Sequence, residues 1–281
     1  MTPVPNITLN NGVEIPQLGF GVFQVPAGET KAAVLQALEA GYRHIDTAEL
    51  YGNELEVGEA VRASGIPREQ VFVTSKLSNA AHDPDDAAKA FDNTLAALDL
   101  DYVDLFLIHW PMPAVGDYVE TWKAMEKMYA GGKVRAIGVS NFNPAHIRRL
   151  LDNSDIIPAV NQIEVHPYLT QDDVRAYNFD NGPITEAWSP LGKGQVLADP
   201  VIGGIAQRLG KTPAQVTLRW HIQLGNIVIP KSVTMSRVEE NFAIFDFELT
   251  PEDMAAISAL NKNQRTGPDP EQNNRIPAPP A

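Results

Sequence analysis

At 281 residues, with 35 acidic against 22 basic side chains and a formal net charge of −13, the chain has the length of one α/β barrel. That charge disfavours nucleic-acid backbones and anionic membrane surfaces as partners. It has no cysteine, which excludes disulfides, thiol nucleophiles and thiolate metal sites and agrees with a reducing compartment.

In chain order, Met1-Thr2-Pro3-Val4-Pro5 has no basic segment followed by an apolar one. No later stretch approaches the roughly 18 apolar residues of a membrane helix, so a cytoplasmic protein acting on small molecules is expected. Ile7-Thr8-Leu9 and Val13-Glu14-Ile15 flank Asn10-Asn11-Gly12, whose residues tolerate positive φ, and this predicts a capping β-hairpin. Eight apolar runs follow: Gln17–Val22, His44–Thr47, Val71–Leu77, Val103–His109, Ala136–Val139, Val160–Glu164, Ile184–Trp188 and Ile227–Ile229. They alternate with segments of helical period such as Thr30–Ala40, Asp85–Leu98 and Tyr118–Ala130. Near-continuous apolar strands suit a parallel sheet covered by helices, and eight alternations suggest a (β/α)8 barrel.

Thr212-Pro213-Ala214-Gln215 and Thr250-Pro251-Glu252-Asp253 each combine an N-cap threonine, proline at N1 and an acceptor at N3. The second lies beyond the eighth strand and predicts an extra C-terminal helix. From Asn261 the composition turns to Asn, Pro, Gln and Asp, so a tail is expected, either folded over the barrel mouth or without structure; Ile276–Ala281 cannot sustain a helix. No repeat or linker divides the chain, and residues 1–281 are read as a single domain and a monomer.

In such a barrel all strand C-termini open on one face, so residues far apart in sequence converge there. Asp46, Lys76 and His109 close the second, third and fourth runs, and Tyr51 follows Asp46 closely. A phenol of ordinary pKa near ~10 donates a proton poorly unless a cation tunes it. Lys76 could supply that cation, Asp46 could hold Lys76 charged, and His109 could orient a substrate oxygen. Taken singly, each has an ordinary structural role: a turn former, a wall residue, a snorkelling lysine, a satisfied core imidazole.

The words Gly41-Tyr42-Arg43-His44-Ile45-Asp46-Thr47-Ala48, Lys76-Leu77 and His109-Trp110-Pro111 together resemble the aldo-keto reductase superfamily. Tyr51-Gly52-Asn53-Glu54 and the Thr212 helix start look closest to its bacterial 2,5-diketo-gluconate reductase-like group. The resemblance runs from the hairpin to Asn241. It implies reduction of an aldehyde or ketone by hydride transfer from NADPH, with Asp46, Tyr51, Lys76 and His109 catalytic. Small aldehydes, dicarbonyls such as methylglyoxal, and keto-sugars are the implied substrates.

The same resemblance assigns cofactor contacts to Gly21, Ser140, Asn141 and Gln162, stacking on the nicotinamide to Trp188, and a pyrophosphate loop to Ser189 and Leu191. It gives a 2′-phosphate site to Lys231, Ser232 and Arg237, a further cofactor contact to Val233, and adenine contacts to Glu240 and Asn241. No Gly-x-Gly-x-x-Gly follows a strand, and the interval from Gly204 to Gly210-Lys211-Thr212 is one residue too long for a phosphate loop. Phe23, Trp110 and Ser78 are expected to wall the substrate pocket. Ser78 stands where relatives often carry tryptophan, and Glu49 adds an unusual carboxylate at the rim. The six histidines show no ligand spacing, so no metal is expected. The alternatives are a cofactor-sensing barrel with little turnover, which an intact tetrad disfavours, and a Schiff-base barrel enzyme, which would need Lys76 neutral.

Overall fold

The computed structural model describes residues 3–276, so the non-helical reading of residues 277–281 lies outside the described residues. β1 (Asn6–Thr8) and β2 (Glu14–Pro16) pair antiparallel around Asn10-Asn11-Gly12, as their turn chemistry requires. Asn10 Nδ2 donates to Pro158 O at 3.0 Å and Asn11 Nδ2 to Arg135 O at 2.9 Å, which seats the hairpin at the N-terminal ends of the barrel strands. Leu9 and Ile15 there join Phe72, Leu105, Leu107 and Val160 in an apolar plug closing that end.

Eight parallel strands follow: β3 (Phe20–Gly21), β4 (His44–Asp46), β5 (Phe72–Leu77), β6 (Val103–Ile108), β7 (Val134–Ser140), β8 (Val160–Glu164), β9 (Ile184–Trp188) and β10 (Ile227–Val228). Leu18 bridges Val228 in parallel, with Gly19 N–H donating to Val228 O at 2.8 Å, so the first and last strands meet and the barrel closes. The first run is shorter as a strand than the sequence suggests because its early residues make only these bridging bonds. Helices surround the sheet: α1 (Ala27–Ala40), α2 (Glu54–Ala63), α3 (Pro84–Leu98), α4 (Tyr118–Ala130), α5 (Pro144–Leu151), α6 (Asp172–Asn181), α7 (Pro200–Leu209), α8 (Pro213–Gln223), α9 (Met235–Phe242) and α10 (Pro251–Ser258). Thr212 and Thr250 each form the expected reciprocal capping box, with Gln215 and Asp253, and α10 is the predicted extra helix.

Strand residues alternate between two cores. Val73, Leu77, Phe106 and Ile108 face the helices, whereas Leu105, Leu107 and Val160 fill the interior. Gly138 faces inward because a Cβ there would lie 2.6 Å from Val160 O and 2.8 Å from the Leu107 side chain. Above this apolar floor the inward positions turn polar: Asp46, Lys76, Gln162 and Glu186 are all buried. No helix among the described residues is long and apolar enough to cross a membrane.

Candidate active site

The β4–β5 register pairs Asp46 with Thr74, which leaves Lys76 one inward step further along β5 and within reach of Asp46. Lys76 Nζ donates to Asp46 Oδ1 at 2.7 Å, Oδ2 at 2.8 Å and Thr47 O at 2.8 Å, so its three hydrogens are all engaged. The ammonium is fully buried. Burial alone would lower its pKa, but Asp46, with Tyr51 and Glu186, holds it above the ordinary lysine value. Lys76 is therefore a fixed cation, which removes the basis for Schiff-base chemistry.

Tyr51 ends a single 3-10 turn, Glu49–Tyr51, immediately beyond β4. Lys76 Nζ lies 5.1 Å from its ring centroid, and Phe23 and His109 flank the ring at centroid distances of 5.0 and 5.8 Å. Burial raises the phenol above its ordinary pKa while Lys76 pulls it back down. The turn is pinned by Asn53, a buried residue that composition and spacing do not single out. Asn53 Nδ2 donates to Val22 O at 3.1 Å, and its Oδ1 accepts from Thr47 Oγ1 at 2.9 Å. His109 follows β6, and burial with Lys76's charge adding lowers it to about 3, so the imidazole is neutral near pH 7. Its Nδ1 is sealed without a partner.

The residues assigned to the nicotinamide end form one hydrogen-bonded group. Ser140 and Gln162 are register partners, and Ser140 Oγ donates to Gln162 O at 2.8 Å. Asn141 sits in left-handed backbone with φ of 64°. Its Nδ2 donates to His109 O and Ser140 Oγ, each at 3.0 Å, and its Oδ1 accepts from Trp188 Nε1 at 2.9 Å. The side chain that fixes the Trp188 ring is thus tied to the backbone of His109. Ser189, also at positive φ, begins the turn that carries Leu191, with Ser189 O accepting from Gly192 N–H at 2.8 Å.

The residues assigned to phosphate lie together beyond β10. Gly21 N–H donates to Pro230 O, which places β3 beside the segment that leads into α9. Lys231 and Arg237 are exposed and form no ion pair among the described residues. Ser232 Oγ accepts from Thr234 N–H at 3.1 Å, and Val233 is exposed. Glu240, further along α9, accepts from Thr212 Oγ1 at 2.6 Å, and Asn241 is buried. At the pocket rim Trp110 is buried, Phe23 is half exposed, and Ser78 N–H donates to Glu49 Oε2 at 3.3 Å. Burial raises the Glu49 carboxyl, the bond from Ser78 opposing it.

The tail crosses the mouth. Glu164, ending β8, accepts from Thr266 N–H and Oγ1, each at 2.6 Å, and from Gly267 N–H at 3.1 Å. Asn79 Nδ2 donates to Arg275 O at 3.1 Å, which ties the far end of the tail beyond β5. Gly267 packs directly against the Trp188 ring: a Cβ there would lie 2.4 Å from Trp188 Cη2, so a larger residue would displace the indole. Glu164 carries no motif in the sequence, so its role as the tail's anchor emerges only from the fold.

A buried ion pair, a phenol above it and an imidazole beside it thus share the C-terminal mouth of a (β/α)8 barrel, the face on which such barrels carry their active sites. The aldo/keto reductase family matches residues 17–262. An aldo-keto reductase of Mycolicibacterium smegmatis is 54% identical over 266 residues, 95% of this chain and 97% of that protein. The glyoxal reductase of Bacillus subtilis is 49% identical over 267 residues, 95% and 96% of the two chains. The crystal structure of a Bombyx mori aldo-keto reductase in complex with NADP superposes with a TM-score of 0.89 at 40% identity, covering 94% of this chain and 95% of that one. The chain belongs to the aldo/keto reductase family and is an oxidoreductase.

Proposed function

We propose that the protein reduces aldehydes and α-dicarbonyls of the glyoxal type to alcohols with NADPH, Tyr51 acting as general acid. The observation that carries this reading is the sealed Lys76–Asp46 pair beneath Tyr51. A fixed cation beside the phenol favours the charge left when the phenolic proton moves to a carbonyl oxygen. Neutral His109 beside the ring can donate to that same oxygen without bringing a second cation against Lys76. Tyr51 then gives its phenolic proton to the carbonyl oxygen, Lys76 stabilises the phenolate left behind, and solvent returns a proton to Tyr51 itself.

The chain's residues fit NADPH. Lys231, adjoining Ser232 in the chain, and Arg237 in the first turns of α9 are both exposed and unpaired among the described residues, and together they supply the charge a 2′-phosphate needs. Trp188, its Nε1 tied to Asn141, offers a partly exposed indole for stacking, and Ser140 and Gln162 stand in the same hydrogen-bonded group. Bound there, the cofactor supplies the hydride. The short Ser78 wall and the Glu49 rim favour small, polar carbonyls over bulky apolar ones. The proposed setting is the cytoplasm and the proposed state a monomer. NADPH oxidation by the pure protein against glyoxal, simple aldehydes and keto-sugars, with NADH run in parallel, tests the reading: turnover is expected with glyoxal and NADPH. No carbonyl-dependent oxidation across the series would refute it.

A further inference from the structure

The barrel interior beneath Tyr51 holds two ionisable groups that carbonyl reduction does not use, Glu186 and His44. Glu186 on β9 is fully buried and is the register partner of Gln162 on β8. Both hydrogens of Gln162 Nε2 are engaged, one by Asp46 Oδ2 at 2.8 Å and one by Glu186 Oε2 at 2.9 Å. The amide is thereby oriented, because with the Glu186 proton on Oε1, away from Gln162, turning the amide over would set its oxygen against two accepting oxygens, Asp46 Oδ2 and Glu186 Oε2. Its own Oε1 accepts no hydrogen bond from the protein and is not among the sealed atoms.

The groups facing Glu186 leave no cation for it. β4 contributes Asp46 and His44, β5 contributes Lys76, the turn after β4 contributes Tyr51, β8 contributes the uncharged Gln162, and β10 is apolar at Ile227 and Val228. Lys76 is already matched by Asp46. His44 Nε2 stands 3.6 Å from Glu186 Oε1, but burial, with Lys76 adding, lowers that imidazole to about 3, so it carries no charge. Oε1 itself is sealed and receives no donor. An anionic oxygen in that position would be left unsolvated, at a cost that protonation avoids. Burial first, and then Asp46, push the Glu186 carboxyl up to about 8.

We propose that Glu186 is a positioning residue: as a neutral acid it takes one hydrogen of Gln162, fixes that amide with Oε1 open, and leaves Asp46 as the sole counter-ion of Lys76. The inference rests on the reading of Tyr51 as the proton donor. When Glu186 ionises, the added negative charge raises both Tyr51 and Lys76, and the phenol becomes a poorer acid. Glutamate thus serves the site only while it holds its proton.

Three measurements on the full-length protein, using wild type, Glu186→Gln and Glu186→Met, test this. In infrared difference spectra at neutral pH, wild type should show a protonated-carboxyl stretch that both variants lack. In thermal unfolding, a carboxyl raised in the native state makes wild type lose stability as pH rises from about 5 to 8, whereas neither variant has that slope, so the stability difference should shift in the variants' favour over that interval. In turnover, Glu186→Gln keeps a neutral acceptor and should hold kcat/KM within about threefold near pH 7, with a shallower alkaline fall. Glu186→Met, lacking the acceptor, should lose about tenfold. If one variant fails to fold, the other still supplies the spectral subtraction and the pH slope. Absence of the band together with a stability gap that does not change with pH would overturn the proposal. The spectrum and the pH slope need no substrate, so they remain decisive even if wild type proves not to reduce carbonyls.

Discussion

Replacing Lys76 by methionine asks how much the buried pair contributes to the fold as well as to turnover. Methionine matches the length of the lysine stem but leaves Asp46, 2% exposed, facing Gln162 Nε2 as its remaining donor from the site, and leaves Thr47 O without the Lys76 bond at 2.8 Å. Removing one member of a buried ion pair costs about 3–5 kcal/mol, because the other charge stays behind in a medium that solvates it badly. At ~2–4 °C per kcal/mol for chains approaching this size, the expected loss is roughly 6–20 °C of Tm. The companion Asp46→Asn/Lys76→Met protein has no stranded charge and keeps an acceptor for Gln162. It should recover at least half of that loss while remaining as inactive as the single variant. Urea unfolding at neutral pH, followed by circular dichroism and fluorescence together, provides the comparison. A single variant within about 1 kcal/mol of wild type, or a double variant showing the summed losses of both singles, would refute the reasoning.

Two further perturbations probe the two ends of the mouth. A charge-assisted phosphate contact contributes about 1.5–3 kcal/mol, so Arg237→Ala should weaken NADPH binding by about 10- to 150-fold and leave NADH almost unchanged. Equal losses for the two coenzymes would reject Arg237 as the 2′-phosphate ligand. At the tail, burial alone would raise Glu164, but hydrogen bonds from His166, Thr266 and Gly267 together hold its carboxyl below the usual range. Its contribution is therefore present above the ordinary carboxyl pKa and is lost as pH falls through the lower native value. Glu164→Gln should mimic that loss at neutral pH, speeding amide exchange at Thr266 and Gly267 by about tenfold while β5 and β6 keep their protection. Unchanged exchange at those two amides would show that Glu164 does not hold the tail.

Periodicity reveals the barrel because both faces of each strand are covered, which forces near-continuous apolar runs, and because the capping boxes at Thr212 and Thr250 use chemistry that only a helix start satisfies. The ends of the sheet are less legible. Gln17–Val22 reads as a full strand, yet only Phe20–Gly21 forms regular ladder pairs, since barrel closure depends on where Leu18 meets Val228 across the whole chain. Asp46, Tyr51, Lys76 and His109 stand out through their flanking words, and the fold brings them together. Asn53 lies within one of those words but shows no role there, and Glu164 and Glu186 do not stand out. A glutamate within an apolar strand looks like any alternating polar residue until the register shows it pointing into a sealed interior beside Gln162 or under the tail.

Tyr51→Phe removes one oxygen from the site and leaves the Lys76–Asp46 pair, His109 and the assigned cofactor residues in place. Steady-state NADPH oxidation with glyoxal, run beside a fluorimetric NADPH titration of the same protein, reports proton donation separately from cofactor binding. Turnover should fall by about 10²–10⁴-fold while the NADPH dissociation constant stays within about threefold of wild type. Reduction of glyoxal at near-wild-type rate by Tyr51→Phe would contradict the assignment of Tyr51 as the general acid.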